Sequence, residues 1–93
     1  MNKPVHRQDD PNDAGGVVQT PSQDFVFDQD KLVSVDGSPV TPHPPFVPPH
    51  DAPVTANGSS FVFINDIPVN FEGNADSCGH ARAAGSDLLF IEE

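Results

Sequence analysis

The sequence has no Trp, no Tyr, a single Cys and only four basic residues. One Cys cannot close an internal disulfide, so a small fold needs another staple. The basic residues, Lys3, Arg7, Lys31 and Arg82, are scattered. Phosphate binding needs them clustered, which argues against nucleic acid as a partner. A formal net charge of −10 likewise opposes adhesion to an anionic membrane surface. No apolar run approaches the ~20 residues of a membrane span. The N-terminal MNKPVHRQDD lacks the apolar centre of a signal peptide, so synthesis in the cytoplasm without one is expected. No stretch keeps a 3.6-residue apolar period for three turns, so helix is not expected.

What is present suits one small domain of 93 residues with a thin stability margin. Hydrophobic residues are 35% of the chain, below the globular norm, which keeps an acidic disordered adaptor in view. Gly and Pro together, 7 + 11 = 18, stay short of a low-complexity composition.

The apolar residues repeat. DFVFDQDKLVSVDGS, from Asp24, and SFVFINDIPVNFEGN, from Ser60, align at an offset of 36 residues. Each reads as two short strands around a tight Asp/Asn turn, a hairpin signature. SDLLFIEE at the C-terminus matches the first strand of this unit, and PVHRQDD at the N-terminus matches PVNFEGN. The expectation is an all-β body of three hairpins, one split between the termini. The half-repeats span 3–10, 24–38, 60–74 and 86–93, and the loops 11–23, 39–59 and 75–85. Pairing of the two ends would close the ring and remove exposed sheet edges. The FVF triplets are expected in the core with one residue facing out. GGVV and NGSS read as turn and strand punctuation, and Asp9, Asp10 and Asp13 as a solvated acidic face.

Alternation of tight turns and long connections puts the second and third loops together. They carry His43 and His50 in the proline-stiffened TPHPPFVPPH, and Cys78 and His80 in SCGH. Three imidazoles and one thiolate suffice for a tetrahedral metal site, and zinc suits that donor set best. The spacing matches no standard zinc finger. The weight lies in the use of the only Cys and three of the four His in two adjoining loops. A Cys78–His80 nucleophilic pair is the competing chemistry, but no orienting group or oxyanion feature accompanies it.

NGSSFVFINDIPVN (57–70), SCGHARAAGSDLLF (77–90) and the Pro/His loop resemble the PAAR-repeat spike-tip proteins of contractile phage tails and type VI secretion spikes. The resemblance covers nearly the whole chain. The family's Pro-Ala-Ala-Arg is replaced by Pro4-Val5-His6-Arg7 and Pro68-Val69-Asn70-Phe71. It implies a conical, β-prism-like body of pseudo-threefold hairpins with a metal-bound vertex. Three His and one Cys would hold the metal, in kind matching His43, His50, Cys78 and His80. One structural zinc is expected, with iron as the alternative metal and His6 as a distant fifth ligand candidate.

The implied role is mechanical and not enzymatic. The tip caps a trimeric β-helical spike, one copy per trimer, and meets the target cell's outer membrane transiently. It is expected at the distal end of a phage tail spike in the virion, or on a secretion spike without an effector extension. By itself the chain is expected to be a monomer. Its partner-binding candidates are the turn residues Gln29, Lys31, Asn65, Asp66 and Ile67, with Ile67 as the leading anchor. A small zinc enzyme is the alternative from another class.

Overall fold

In a computed structural model that describes residues 2–92, the chain is all-β, with no helix among the described residues. Met1 and Glu93, the outer ends of the expected domain and last half-repeat, lie outside them. Three antiparallel pairs form: β1 (Asn2–Pro4) with β6 (Phe90–Glu92), β2 (Phe27–Asp28) with β3 (Lys31–Leu32), and β4 (Phe63–Ile64) with β5 (Ile67–Pro68). The termini therefore pair as the split repeat requires, Asn2 opposite Glu92 and Pro4 opposite Phe90. The strands are only two or three residues long, because the chain bends after each pair to join its neighbours.

Both internal hairpins turn through two residues with positive φ, Gln29-Asp30 and Asn65-Asp66. That conformation fits the right-handed strand twist, and Asn and Asp tolerate it best. Just before each hairpin a side chain caps the entering strand. Ser59 Oγ accepts from the N–H groups of Phe61 and Val62, and Ser86 Oγ from those of Leu88 and Leu89. Gln23 Oε1 does the same for Phe25 and Val26.

Three exchanges of hydrogen bonds tie the units together. Ser34 N–H donates to His6 C=O, His6 N–H to Asn70 C=O, and Asn70 N–H to Ser34 C=O, at 2.8, 3.0 and 2.9 Å. These residues hold equivalent places in the repeat, so the cycle closes on itself. Isolated bridges Arg7–Val33, Val35–Val69 and Val5–Phe71 follow the same three-way pattern. Inside the ring sits a valine cluster, Val5, Val33, Val35 and Val69, with Val26, Ile64, Ile67 and Ile91 partly buried against it.

The FVF expectation needs correction. In each unit the middle residue borders an apolar pocket and both flanking residues are exposed, but only Val26 is half-buried, while Val62 and Leu89 are still 36% and 40% exposed. Val26, Val62 and Leu89 line an apolar cavity of about 170 Å³ together with Val5, Val33, Val69, Ile64 and Ile91. Phe25, Phe27, Phe61, Phe63, Leu88 and Phe90 are exposed, Phe61 at 73% and Leu88 at 71%. Strand alternation accounts for the pattern: i and i+2 share a face, so the flanking pair points away from the pocket that the middle side chain borders.

Of the acidic run, Asp9 and Asp13 are exposed as expected, and Asp10 is not. Asp9 takes the positive-φ turn place that Gly37 and Gly73 fill in the other units. Asp10 is buried, and its carboxylate accepts from Arg7 N–H at 2.8 Å and from Arg7 Nε at 3.0 Å. It thereby caps its turn as Asn74 does, whose Oδ1 accepts from Phe71 N–H at 2.7 Å. Hydrogen bonding to Asp10 holds the Arg7 guanidinium even more firmly protonated than usual.

Candidate metal centre

The long second loop leaves the valine cluster as a pair of arms. Gly37 N–H donates to Thr55 C=O, Val40 N–H to Pro53 C=O, and His43 N–H to His50 C=O at 3.3 Å. The arms thus carry His43 and His50 side by side, away from the hairpins. His43 is buried, while His50, Cys78 and His80 are half-buried.

The three imidazoles close on one another. Ring centroids are 5.3 Å apart for His43–His50, 5.1 Å for His43–His80 and 5.0 Å for His50–His80. One nitrogen from each lies within 4.8 Å of the others, close enough to share a metal ion. His43 Nε2 is 3.3 Å from His50 Nδ1 and 3.4 Å from Cys78 Sγ. Three of the four expected ligand residues, His43, His50 and His80, therefore meet as one group, and Cys78 approaches it only through His43. His6 does not join them: its ring is buried in the body, with Nε2 donating to Ala83 C=O at 2.8 Å.

Surrounding groups set which nitrogen faces the centre. His43 Nδ1 is 3.0 Å from Thr41 C=O and must donate to it, which leaves a lone pair on Nε2. His80 Nδ1 is 2.8 Å from the Asp13 carboxylate, so its Nε2 is the free nitrogen. The His43 Nε2 lone pair can accept from His50 Nδ1–H or from the Cys78 thiol, and a cation among the rings would take the place of those contacts. A His ring oriented by a carbonyl or carboxylate is also the usual second layer of a metal site. Gly16 makes room for this arrangement, since a Cβ there would stand 2.5 Å from His43 Nδ1.

Beneath the loops runs a buried polar network. Arg82 Nη2 donates to Asp76 Oδ2 at 2.6 Å, and Asn12 Nδ2 donates to the same oxygen at 3.1 Å. Arg82 Nη1 reaches Asp10 C=O at 3.1 Å. Asn12 Oδ1 accepts from the N–H groups of Ala14 and Gly16, which shapes the first loop. Burial pushes the Asp76 carboxyl up, against the opposing pull of Arg82. The first loop thus supplies Asp13, Asn12 and Gly16 to the centre, although none of the expected ligands lies in it. Sequence reasoning missed these three residues. Only the Asn-Asp-x-Gly-Gly turn composition hinted that this loop is built tightly.

The expected partner residues lie at the hairpin turns, in varied settings. Asn65 and Asp66 are exposed, and Lys31 is half-buried. The Gln29 side chain accepts from Arg7 Nη1. Ile67 is half-buried against the valine cluster, so much of it is already covered. The exposed Phe and Leu side chains around the cavity were not among the candidates.

Neither a protein-family model nor a curated protein matches this chain.

Proposed function

We propose that the protein is a structural tip that caps the trimeric β-helical spike of a contractile injection machine, stiffened at its far end by one zinc ion. The observation that carries this reading is the hairpin end. Three equivalent corners each present two large apolar side chains: Phe25 and Phe27, Phe61 and Phe63, Leu88 and Phe90. They surround one apolar cavity fed by all three units. Exposed apolar surface of this extent marks an interaction site, and a three-cornered face suits a threefold partner. One chain per trimer follows, because a single chain already contains all three corners. Phe27, Phe63 and Phe90 join Asn65, Asp66 and Ile67 as contact residues.

Zinc is the metal of choice on geometry. Tetrahedral zinc with Zn–N of about 2.0–2.1 Å and Zn–S of about 2.3 Å has N···N edges of about 3.3 Å and N···S edges of about 3.6 Å. The separations from His43 Nε2, 3.3 Å to His50 Nδ1 and 3.4 Å to Cys78 Sγ, lie close to those edges. With Cys78 as fourth donor beside the three clustered histidines, no position would be left for a reactive water, which supports a structural metal and a non-enzymatic role. Its place is then the distal end of a phage tail spike or of a secretion spike.

Native mass spectrometry of the chain with a trimeric β-helical spike tests the reading. One chain per three spike subunits is expected. A 3:3 complex, or a stable homotrimer of the free chain, overturns it.

A further inference from the structure

The geometry points to Asp13 as the positioning residue of the metal centre: from a loop that supplies no ligand, it presents His80 to the ion and offsets the ion's charge. The inference rests on the zinc reading above and deepens it by naming a group that the centre depends on beyond its donors.

The first loop is fixed without help from this carboxylate. Asp13 N–H donates to Ala81 C=O and Ala83 N–H to Pro11 C=O, both at 2.9 Å, so the loop is laced to the chain on either side of Arg82. Asn12 Oδ1 holds the turn by accepting from the N–H groups of Ala14 and Gly16. The Asp13 side chain takes part in none of these contacts and is 57% exposed. Its Oδ1 lies 2.8 Å from His80 Nδ1.

His43 and His80 differ in what holds them. His43 is buried, and Thr41 C=O accepts from its Nδ1. The His80 side chain is 32% exposed and follows Gly79, whose φ is +92°. A glycine and an open ring leave that stretch only weakly restrained by packing. The carboxylate therefore supplies the restraint: it accepts from Nδ1–H and leaves Nε2 as the donor to a metal. Charge adds a second contribution. Zinc among three neutral imidazoles and the Cys78 thiolate would leave one positive charge, which the carboxylate offsets.

Zinc affinity of the free chain, measured by competition with a chromophoric chelator, is the test. Asp13→Ala should weaken zinc binding by about tenfold to a hundredfold. Asp13→Asn keeps an oxygen acceptor for Nδ1–H without the charge, and should recover part of that loss. With cobalt(II) in place of zinc, the visible d–d bands of Asp13→Ala should differ from the parent's, because the His80 ring is no longer held at one angle. Amide exchange in the hairpins of the zinc-saturated variant should stay as in the parent. Asp24→Ala removes the same charge ahead of the first hairpin and should bind zinc as the parent does. Unchanged affinity in Asp13→Ala overturns the inference and leaves the zinc reading standing. Equal losses in Asp24→Ala and Asp13→Ala, or faster exchange throughout the body of zinc-saturated Asp13→Ala, overturn it too. A parent chain that binds no zinc removes the zinc reading and the inference together.

Discussion

The two ends of the molecule are held together by different physics. At the hairpin end, four valines and a three-way cycle of backbone hydrogen bonds make a body whose units support one another. At the loop end the interior is polar: Asn12, His43, Asp76 and Arg82 are all buried there, with Val18 and Val40 the only fully buried hydrophobics of these loops among the described residues. Apolar burial is non-directional and forgiving, whereas a buried polar network is strongly stabilising only while every member keeps its partner. The hairpin end should therefore tolerate change, and the loop end should fail as a unit.

Removing the proposed zinc is the largest test of that contrast. Structural zinc contributes on the order of 10 kcal/mol in small metal-folded peptides, comparable to a whole domain's stability. Chelation should lower the melting temperature sharply. Amide exchange should rise first in residues 41–50 and 76–83, with the hairpins protected longer. An unchanged melting curve would show that the loops do not depend on the ion. Protein purified without added metal should carry one zinc per chain, and Cys78→Ser with His80→Ala should abolish that stoichiometry.

Next in size is the buried ion pair. Both side chains of Arg82 and Asp76 are fully buried. Arg82→Met keeps volume but strands the carboxylate, and breaking a buried pair in this way costs about 3–5 kcal/mol. The double variant Arg82→Met, Asp76→Leu should recover part of the loss in a urea titration. A single variant as stable as the parent would mean that water already reaches the pair.

The third effect is acid sensitivity from His6, which lies between the two ends. Burial lowers its pKa from 6.5 to about 4, the hydrogen bond to Ala83 opposing, Arg82 and Arg7 lowering it further and Asp10 raising it. Between those values the unfolded chain binds more protons than the folded one. The contribution is therefore complete above pH 6.5 and is lost as pH falls towards about 4. Over that range the loss amounts to about 3 kcal/mol. His6→Asn places there the residue that the equivalent position, Asn70, already carries. Stability of parent and variant measured against pH should converge at low pH, since acid release of the metal is common to both. Parallel curves would exclude His6 as the source.

Legibility followed the same division. Hairpins, turns and the pairing of the termini could be read because a repeat writes each of them more than once, as Val33, Val69 and Val5 do. The three clustered histidines could be read because Cys and His are scarce. Asp13 could not, since an orienting carboxylate has no spacing rule and reaches His80 from 67 residues away. Arg7 and Arg82 read only as scattered charges because their partners meet them only in the folded chain. The FVF triplets were misplaced for another reason. Apolar content identifies a strand, but strand alternation decides which of the three side chains borders the pocket.

The smallest effect on stability should accompany the largest effect on binding. Phe27 and Phe63 are about half exposed or more, and neither lines the central cavity. Replacing both by Ser removes apolar surface already in water, and such surface changes usually alter stability by no more than about 0.5 kcal/mol. If the hairpin end docks on a threefold spike, the same two side chains become the centre of an apolar interface, where truncating an anchor costs at least about 2 kcal/mol. Loss of spike binding by more than about thirtyfold, with an unchanged urea midpoint, is the expected pair of results. Equal losses in both measurements would assign the two phenylalanines to the fold. Unchanged binding would move the partner surface elsewhere, to the turn residues Asn65 and Asp66. The third corner offers a graded version of the same test. Leu88 stands where Phe25 and Phe61 stand, so Leu88→Phe makes the three corners more alike and should tighten the complex slightly without altering its one-to-three ratio.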